Sequence, residues 1–411
     1  MRTASVSLMV LVLQAACSGE QDSPAGPAMP SKQFPHYAST LSKYEETVLA
    51  TLRDNWRVKY ESTPPASSEA KFAIVVVDED SHKEIVITDT GIGDAFDLVD
   101  APVWSPDGRH ISYTAQDETK RVVVIDSKRF EVGYPLVSTP SWCPSSSRVA
   151  VGVAGTRRDL WEAYVVFPEG KKRMLEGLEG GQPRFSPEGE LAFTCHDKSY
   201  RYKLCVGDDT FDVPKDFVVR GDLKFAESGH DSLINVMYHG GHSLAGQRVV
   251  LRGLSEVTPG RERIDGFGFV RETGLWYVWR QGGRGGGYLL SVGEKSYGPF
   301  ERILGPWFDA DSNRYVFATR SDFDKGRSKV VIDGSTYAVT GTVQEATACR
   351  NGDQVAVISV TDGGYEIYVN QALICGGLSW AAGIHIQERP PGMSYMARVG
   401  QRVVRRVHGG K

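Results

Sequence analysis

Arginine, histidine and aspartate gather in three stretches of this chain: HGGHSLAGQ (His239–Gln247), RQGGRGGG (Arg280–Gly287) and TRSDFDKGRS (Thr319–Ser328). The guanidinium groups of Arg280, Arg284, Arg320 and Arg327 suit paired hydrogen bonds to carboxylates or phosphates. His239, His242, Asp322, Phe323 and Asp324 add hydrogen-bonding, anionic and aromatic contacts. Such a mixture fits recognition of a charged partner. The plainer alternative is that all three stretches are slack hairpin tips.

Other local patterns invite chemistry and fail on context. GGHSLAG (Gly240–Gly246) approaches the G-x-S-x-G nucleophile elbow, but Ala245 breaks the match and Ser243 falls between two expected strands. An elbow needs a strand running into a helix. FDADSN (Phe308–Asn313) has the spacing of clustered oxygen ligands, yet an EF-hand would need glycine at Arg314 and glutamate at Arg320. Asp309, Asp311 and Asn313 are better explained as turn formers. GGRGGGY (Gly282–Tyr288) is followed by a strand, whereas a phosphate-cradling loop needs a helix N-terminus behind it. His239 and His242 have no third ligand in their loop, and no Cys/His spacing suggests zinc. No catalytic residue, metal or cofactor is therefore expected.

The elements that must position these loops announce themselves by repetition. VWSPDGRHISY (Val103–Tyr113), SWCPSSSRVAV (Ser141–Val151) and RFSPEGELAF (Arg184–Phe193) each join two apolar runs through a tight polar turn. That is a repeated β-hairpin. Degenerate copies place aromatic or equivalent anchors at Trp104, Trp142, Phe185, Phe225, Phe267, Trp307 and Thr347, in steps of 38, 43, 40, 42, 40 and 40 residues. A period near 40 with four short strands per unit is the signature of a β-propeller blade. Within Pro102–Val137 the expected strands are Val103–Ser105, Ile111–Ala115, Arg121–Asp126 and one near Glu131–Val137.

Seven anchors and a partial C-terminal set favour eight four-stranded antiparallel blades, with seven as the alternative. The early strands Phe72–Asp78 and Glu84–Asp89 are expected to complete the last blade and so close the ring. Ahead of them, Leu41, Tyr44, Val48, Leu49, Leu52 and Trp56 fall near a 3.6-residue period, which predicts a short amphipathic helix over Ser39–Arg57. In a propeller, loops between second and third strands emerge on the same face as the links between blades. The three long loops come in succession, so they form a crescent on one rim, where repeat proteins commonly bind.

At WSPDGRHISY the chain resembles the WD-like repeats of TolB and of the propeller domains of prolyl-oligopeptidase relatives. Tyr297–Tyr337 resembles the same repeat in bacterial envelope proteins. The resemblance spans roughly Phe72 to His408 in repeat pattern and implies a propeller scaffold; no catalytic residue comes with it.

The N-terminus points to export. Met1–Ala16 has one basic residue, an apolar run from Val6 to Leu13 and small residues at its end, as a secretory signal does. LQAAC resembles a bacterial lipobox with Gln14 in place of the usual leucine, so Cys17 is expected to be lipidated. A Ser/Pro/Gly-rich stretch then serves as a tether. Cys195 and Cys205 flank the turn HDKSYR and could face each other across two strands; an oxidising compartment would permit a bond, and the alternative is a set of small buried hydrophobes.

The expected organisation is signal peptide 1–16, tether 17–38, helical extension 39–68 and propeller 69–411. A formal charge of −4 argues against general nucleic-acid binding. The expected function is a non-enzymatic scaffold, held to the bacterial envelope by lipid alone, that binds an envelope protein or small ligand. A propeller hydrolase or lyase with a central-channel site is the rival.

Overall fold

The computed structural model describes residues 44–62, 71–154, 161–166, 172–178, 182–196, 201–226, 232–238, 248–258, 263–270, 274–281, 287–308, 315–320, 327–332, 335–348, 355–369, 372–388 and 391–409. They form nine antiparallel sheets, each one blade of a propeller. Seven have four strands; in the second and third blades the innermost strand is split in two, giving five segments. Nine blades replace the expected eight or seven.

The missed blade is the first, built from Trp56–Ser62, Ala73–Asp78, Glu84–Thr88 and Gly91–Phe96. Its inner strand lacks the WSPDG phrase, and the region before it mimics a helix. No helix occurs among the described residues: the segment expected to be helical holds two strands, Tyr44–Thr51 and Trp56–Ser62, and its first residues lie outside the described ones. Bulges between Val48 and Ala50 and between Val58 and Tyr60 break the two-residue alternation that marks a strand. The supposed apolar stripe is accordingly not one face, because Tyr44 and Val48 are exposed while Leu52 and Trp56 are buried.

Closure is also made differently. Tyr44–Thr51 pairs with Arg402–Gly409 as the outermost strand of the ninth blade, after Trp380–Glu388 and Pro391–Val399. Phe72–Asp89, expected in that role, belongs to the first blade instead. The chain still ends by joining its two termini in one sheet, which covers an edge that would otherwise be open. Arg406 holds the closing strand, donating to Glu46 at 3.1 Å and stacking its guanidinium over Tyr44. Arg398 donates at 2.8 Å to the Trp56 carbonyl, tying the ninth blade to the first.

The repeated phrase has a physical task. In its turn, Ser105 accepts from the His110 amide at 2.9 Å and donates to Asp107, which in turn accepts from the Arg109 amide. Cys143 stands in the serine position one blade later, and its Sγ accepts from the Arg148 amide at 3.1 Å. These turns also bond across blades. Lys71 donates to the Gly108 carbonyl, the Asp107 amide donates to Ser146, and Arg148 donates to the Gly189 carbonyl. The tryptophans form a second relay: Trp104 Nε1 donates to the Ser62 carbonyl, and Trp142 Nε1 to the Val103 carbonyl.

The core lies between blades. Val75, Val86 and Phe96 of the first pack with Tyr113, Ala115 and Val122 of the second; Trp56 and Ile74 pack with Trp380, Met396 and Val403 at the closure. Glu84 of the first blade is buried with three hydrogen bonds from two donors, Lys59 Nζ at 2.7 and 2.8 Å and the Val99 amide at 2.6 Å. In the second blade the outermost strand is Lys128–Glu131, and Leu136–Val137, expected to be part of it, opens the third blade by pairing with Val149–Ala154.

Candidate functional site

Two rims are available. Turns between first and second strands, and between third and fourth, line one; loops between second and third strands, with the links between blades, line the other.

On the link rim the structure places three of the expected binding residues. Arg280 ends the strand Gly274–Arg280, Arg320 ends Tyr315–Arg320, and Arg327 opens Arg327–Ile332. They belong to the second and third strands of the adjacent sixth and seventh blades, as the repeat spacing implied. His239, His242, Arg284, Asp322, Phe323 and Asp324 lie outside the described residues, as does Cys17. Arg280 and Arg327 are exposed.

Register adds two arginines that the loops did not reveal. Arg280 is paired with Arg263, the first residue of the inner strand Arg263–Val270. Arg320 is paired with Arg302, the first residue of Arg302–Phe308. Directly opposed like charges in an antiparallel pair are unfavourable. Two neighbouring blades nonetheless carry the same pairing at the same rim. The available sequence signal was an arginine heading each inner strand, in RERIDGF and FERILGP; only strand register shows which residues they oppose.

The turn rim holds a cleft of about 390 Å³ between the first and second blades. Val86, Trp104, Ile111 and Tyr113 give it an apolar side, and Lys71, Arg109, Asp89 and Asp126 a charged one. Asp126 also accepts from the Ile111 amide at 3.1 Å and lies 3.0 Å from His110 Nδ1. Burial, aided by the Asp94 charge, pushes the Tyr113 phenol up to about 12, so it stays protonated. This cleft can take a small amphipathic ligand. Sequence reasoning passed over it because each of its residues serves a repeat turn or strand.

Among the described residues no group of three or more His, Cys, Asp or Glu side chains is placed to hold a metal ion. One inner-strand carboxyl is perturbed: burial pushes Glu61 above the usual carboxylate range, against an opposing backbone hydrogen bond.

No protein-family profile and no curated protein matches the chain. Solved propellers do resemble it in shape. The β-propeller domain of the Trilobed protease from Pyrococcus furiosus, described as having an open velcro topology, is 14% identical, with 66% of this chain and 91% of that one covered and a TM-score of 0.36. The dihydro-heme d1 dehydrogenase NirN is 11% identical over 78% and 76%, with a TM-score of 0.47. TolB from Acinetobacter baumannii is 10% identical over 86% and 80%, with a TM-score of 0.32. Likeness at this level concerns the propeller alone, and the fold itself rests on the nine sheets.

Proposed function

We propose that this protein is an exported, lipid-anchored binding propeller of the bacterial envelope, whose link rim captures an acidic partner. The observation that carries the reading is the pair of arginine oppositions, Arg263 with Arg280 and Arg302 with Arg320, at matching places in adjacent blades. A partner rich in carboxylate or phosphate groups would offset the repulsion between arginines opposed in this register. The anchor is part of the same proposal. A lipid on Cys17 would precede, in sequence, the strand Tyr44–Thr51 that closes the ring.

Replacing Arg280, Arg320 and Arg327 together by alanine should weaken cross-linking to envelope partners while leaving the thermal transition in place, since Arg280 and Arg327 are exposed and surface substitutions at strand ends cost little stability. Cys17→Ser should move the protein from the membrane to the soluble fraction. Unchanged cross-linking by the triple variant removes the rim as the binding face. The hydrolase or lyase alternative has its own test, because the half-buried Glu61 carboxyl, raised above its ordinary range, suits acid catalysis. Turnover that disappears in Glu61→Gln would overturn the non-enzymatic reading.

A further inference from the structure

Cys195 and Cys205 lie on adjacent strands of the fourth blade, Leu191–His196 and Tyr202–Val206. Cys195 is registered opposite Lys203, and Cys205 opposite Phe193. The cysteines are therefore diagonal neighbours on one face of the sheet. Their sulfurs stand 3.5 Å apart and are not bonded, and both residues are half-buried. The other described cysteines differ. Cys143 is fully buried and its sulfur contacts Ser145, Ser147 and the Arg148 amide, while Cys375 accepts from Arg406.

We propose that Cys195 and Cys205 form a redox-active dithiol in which Cys205 reduces a hydroperoxide and Cys195 then closes an intramolecular disulfide. Thr210 Oγ1 also donates to the Cys205 sulfur, at 3.9 Å. The Cys205 thiol is lowered to about 6, chiefly by the hydrogen bond from Cys195, with Thr210 and the Lys203 charge assisting and burial opposing. That lowering favours the Cys205 thiolate, the form that attacks. Its sulfur takes one peroxide oxygen as the O–O bond breaks, leaving an alcohol, or water from hydrogen peroxide, and a sulfenic acid on Cys205. Cys195 sulfur then attacks Cys205 sulfur and expels hydroxide, which leaves as water with the Cys195 proton. Two thiols and one hydroperoxide give one disulfide, one alcohol and one water; both electrons come from sulfur. Closure needs the sulfurs to approach from 3.5 Å to about 2.05 Å.

The test uses the full chain, reduced and then treated with hydrogen peroxide. Peptide mapping by mass spectrometry should find one Cys195–Cys205 link with the loss of two hydrogens. Cys195→Ala, treated at a pH above the ordinary cysteine range so that Cys205 is ionised without its partner, should instead accumulate a sulfenic acid at Cys205, trapped by dimedone, and Cys205→Ala should lose the reaction altogether. Alkylation of Cys205 in the unaltered protein should rise with a midpoint near pH 6, and that midpoint should move towards the ordinary cysteine range in Cys195→Ala. Peroxide-treated protein that keeps both thiols, or links either one to a different cysteine, overturns the proposal. So does equal peroxide reactivity in the two variants. The mapping on unaltered protein decides the matter even if a variant folds poorly.

Discussion

Trp142 Nε1 donates a 3.1 Å hydrogen bond to the carbonyl of Val103, joining the inner strand of the third blade to that of the second. Trp104 repeats the contact one blade earlier, onto Ser62. In the fourth blade phenylalanine replaces tryptophan, so no indole N–H is available, and the Arg148 guanidinium lies over the Phe185 ring at 5.3 Å instead. The recurring aromatic is thus a coupling device between blades as well as a filler.

Trp142→Phe keeps most of the apolar area and leaves the Val103 carbonyl without that donor. The Ser112 hydroxyl still donates to that carbonyl at 3.4 Å, so the loss expected is that of one hydrogen bond, about 0.5–1.5 kcal/mol, measured as a lower denaturant midpoint with an unchanged slope. A midpoint equal to that of the unaltered protein would show that water or a neighbouring group replaces the bond fully.

The closing strand makes a sharper prediction. Removing residues 44–51 uncovers the edge of Arg402–Gly409 and takes from Arg406 both Glu46 and the Tyr44 ring. Aggregation or loss of a single cooperative transition should follow. Glu46→Ala, a gentler change, should lower stability by about 1–3 kcal/mol, because a mostly buried arginine loses its charged acceptor. A truncated chain with the original melting transition would place closure elsewhere.

Tyr113 predicts an alkaline dependence. Its pKa is raised to about 12 in the folded chain, from an ordinary value of 10.0, chiefly by burial. The fold therefore favours the protonated phenol. Stability from this group is fully present below pH 10 and falls as the pH rises towards 12, by about 2–3 kcal/mol for two pKa units. Melting curves of the unaltered protein should drop more steeply across that window than those of Tyr113→Phe. Parallel curves would mean that the phenol ionises without cost.

What the sequence by itself determined is what short-range chemistry encodes. Ser105, Asp107 and Gly108 make a tight turn from their own side chains and backbone, and the strands on either side alternate strongly enough to be recognised. The near-40-residue recurrence of that hairpin therefore gave the propeller, and the neighbouring long loops gave the rim on which Arg280, Arg320 and Arg327 stand. Blade number and closure were decided by pairing at long range. Tyr44 meets His408 and Thr51 meets Arg402, and nothing local to residues 44–51 names that partner. Bulges at Val48/Ala50 and Val58/Tyr60 also shift the side-chain alternation by one residue, which imitates a helical period. Register likewise lies beyond a one-dimensional pattern. Only the tertiary structure sets Arg263 against Arg280 and brings the Cys195 and Cys205 sulfurs to 3.5 Å, because a one-residue slip would turn either side chain to the opposite face.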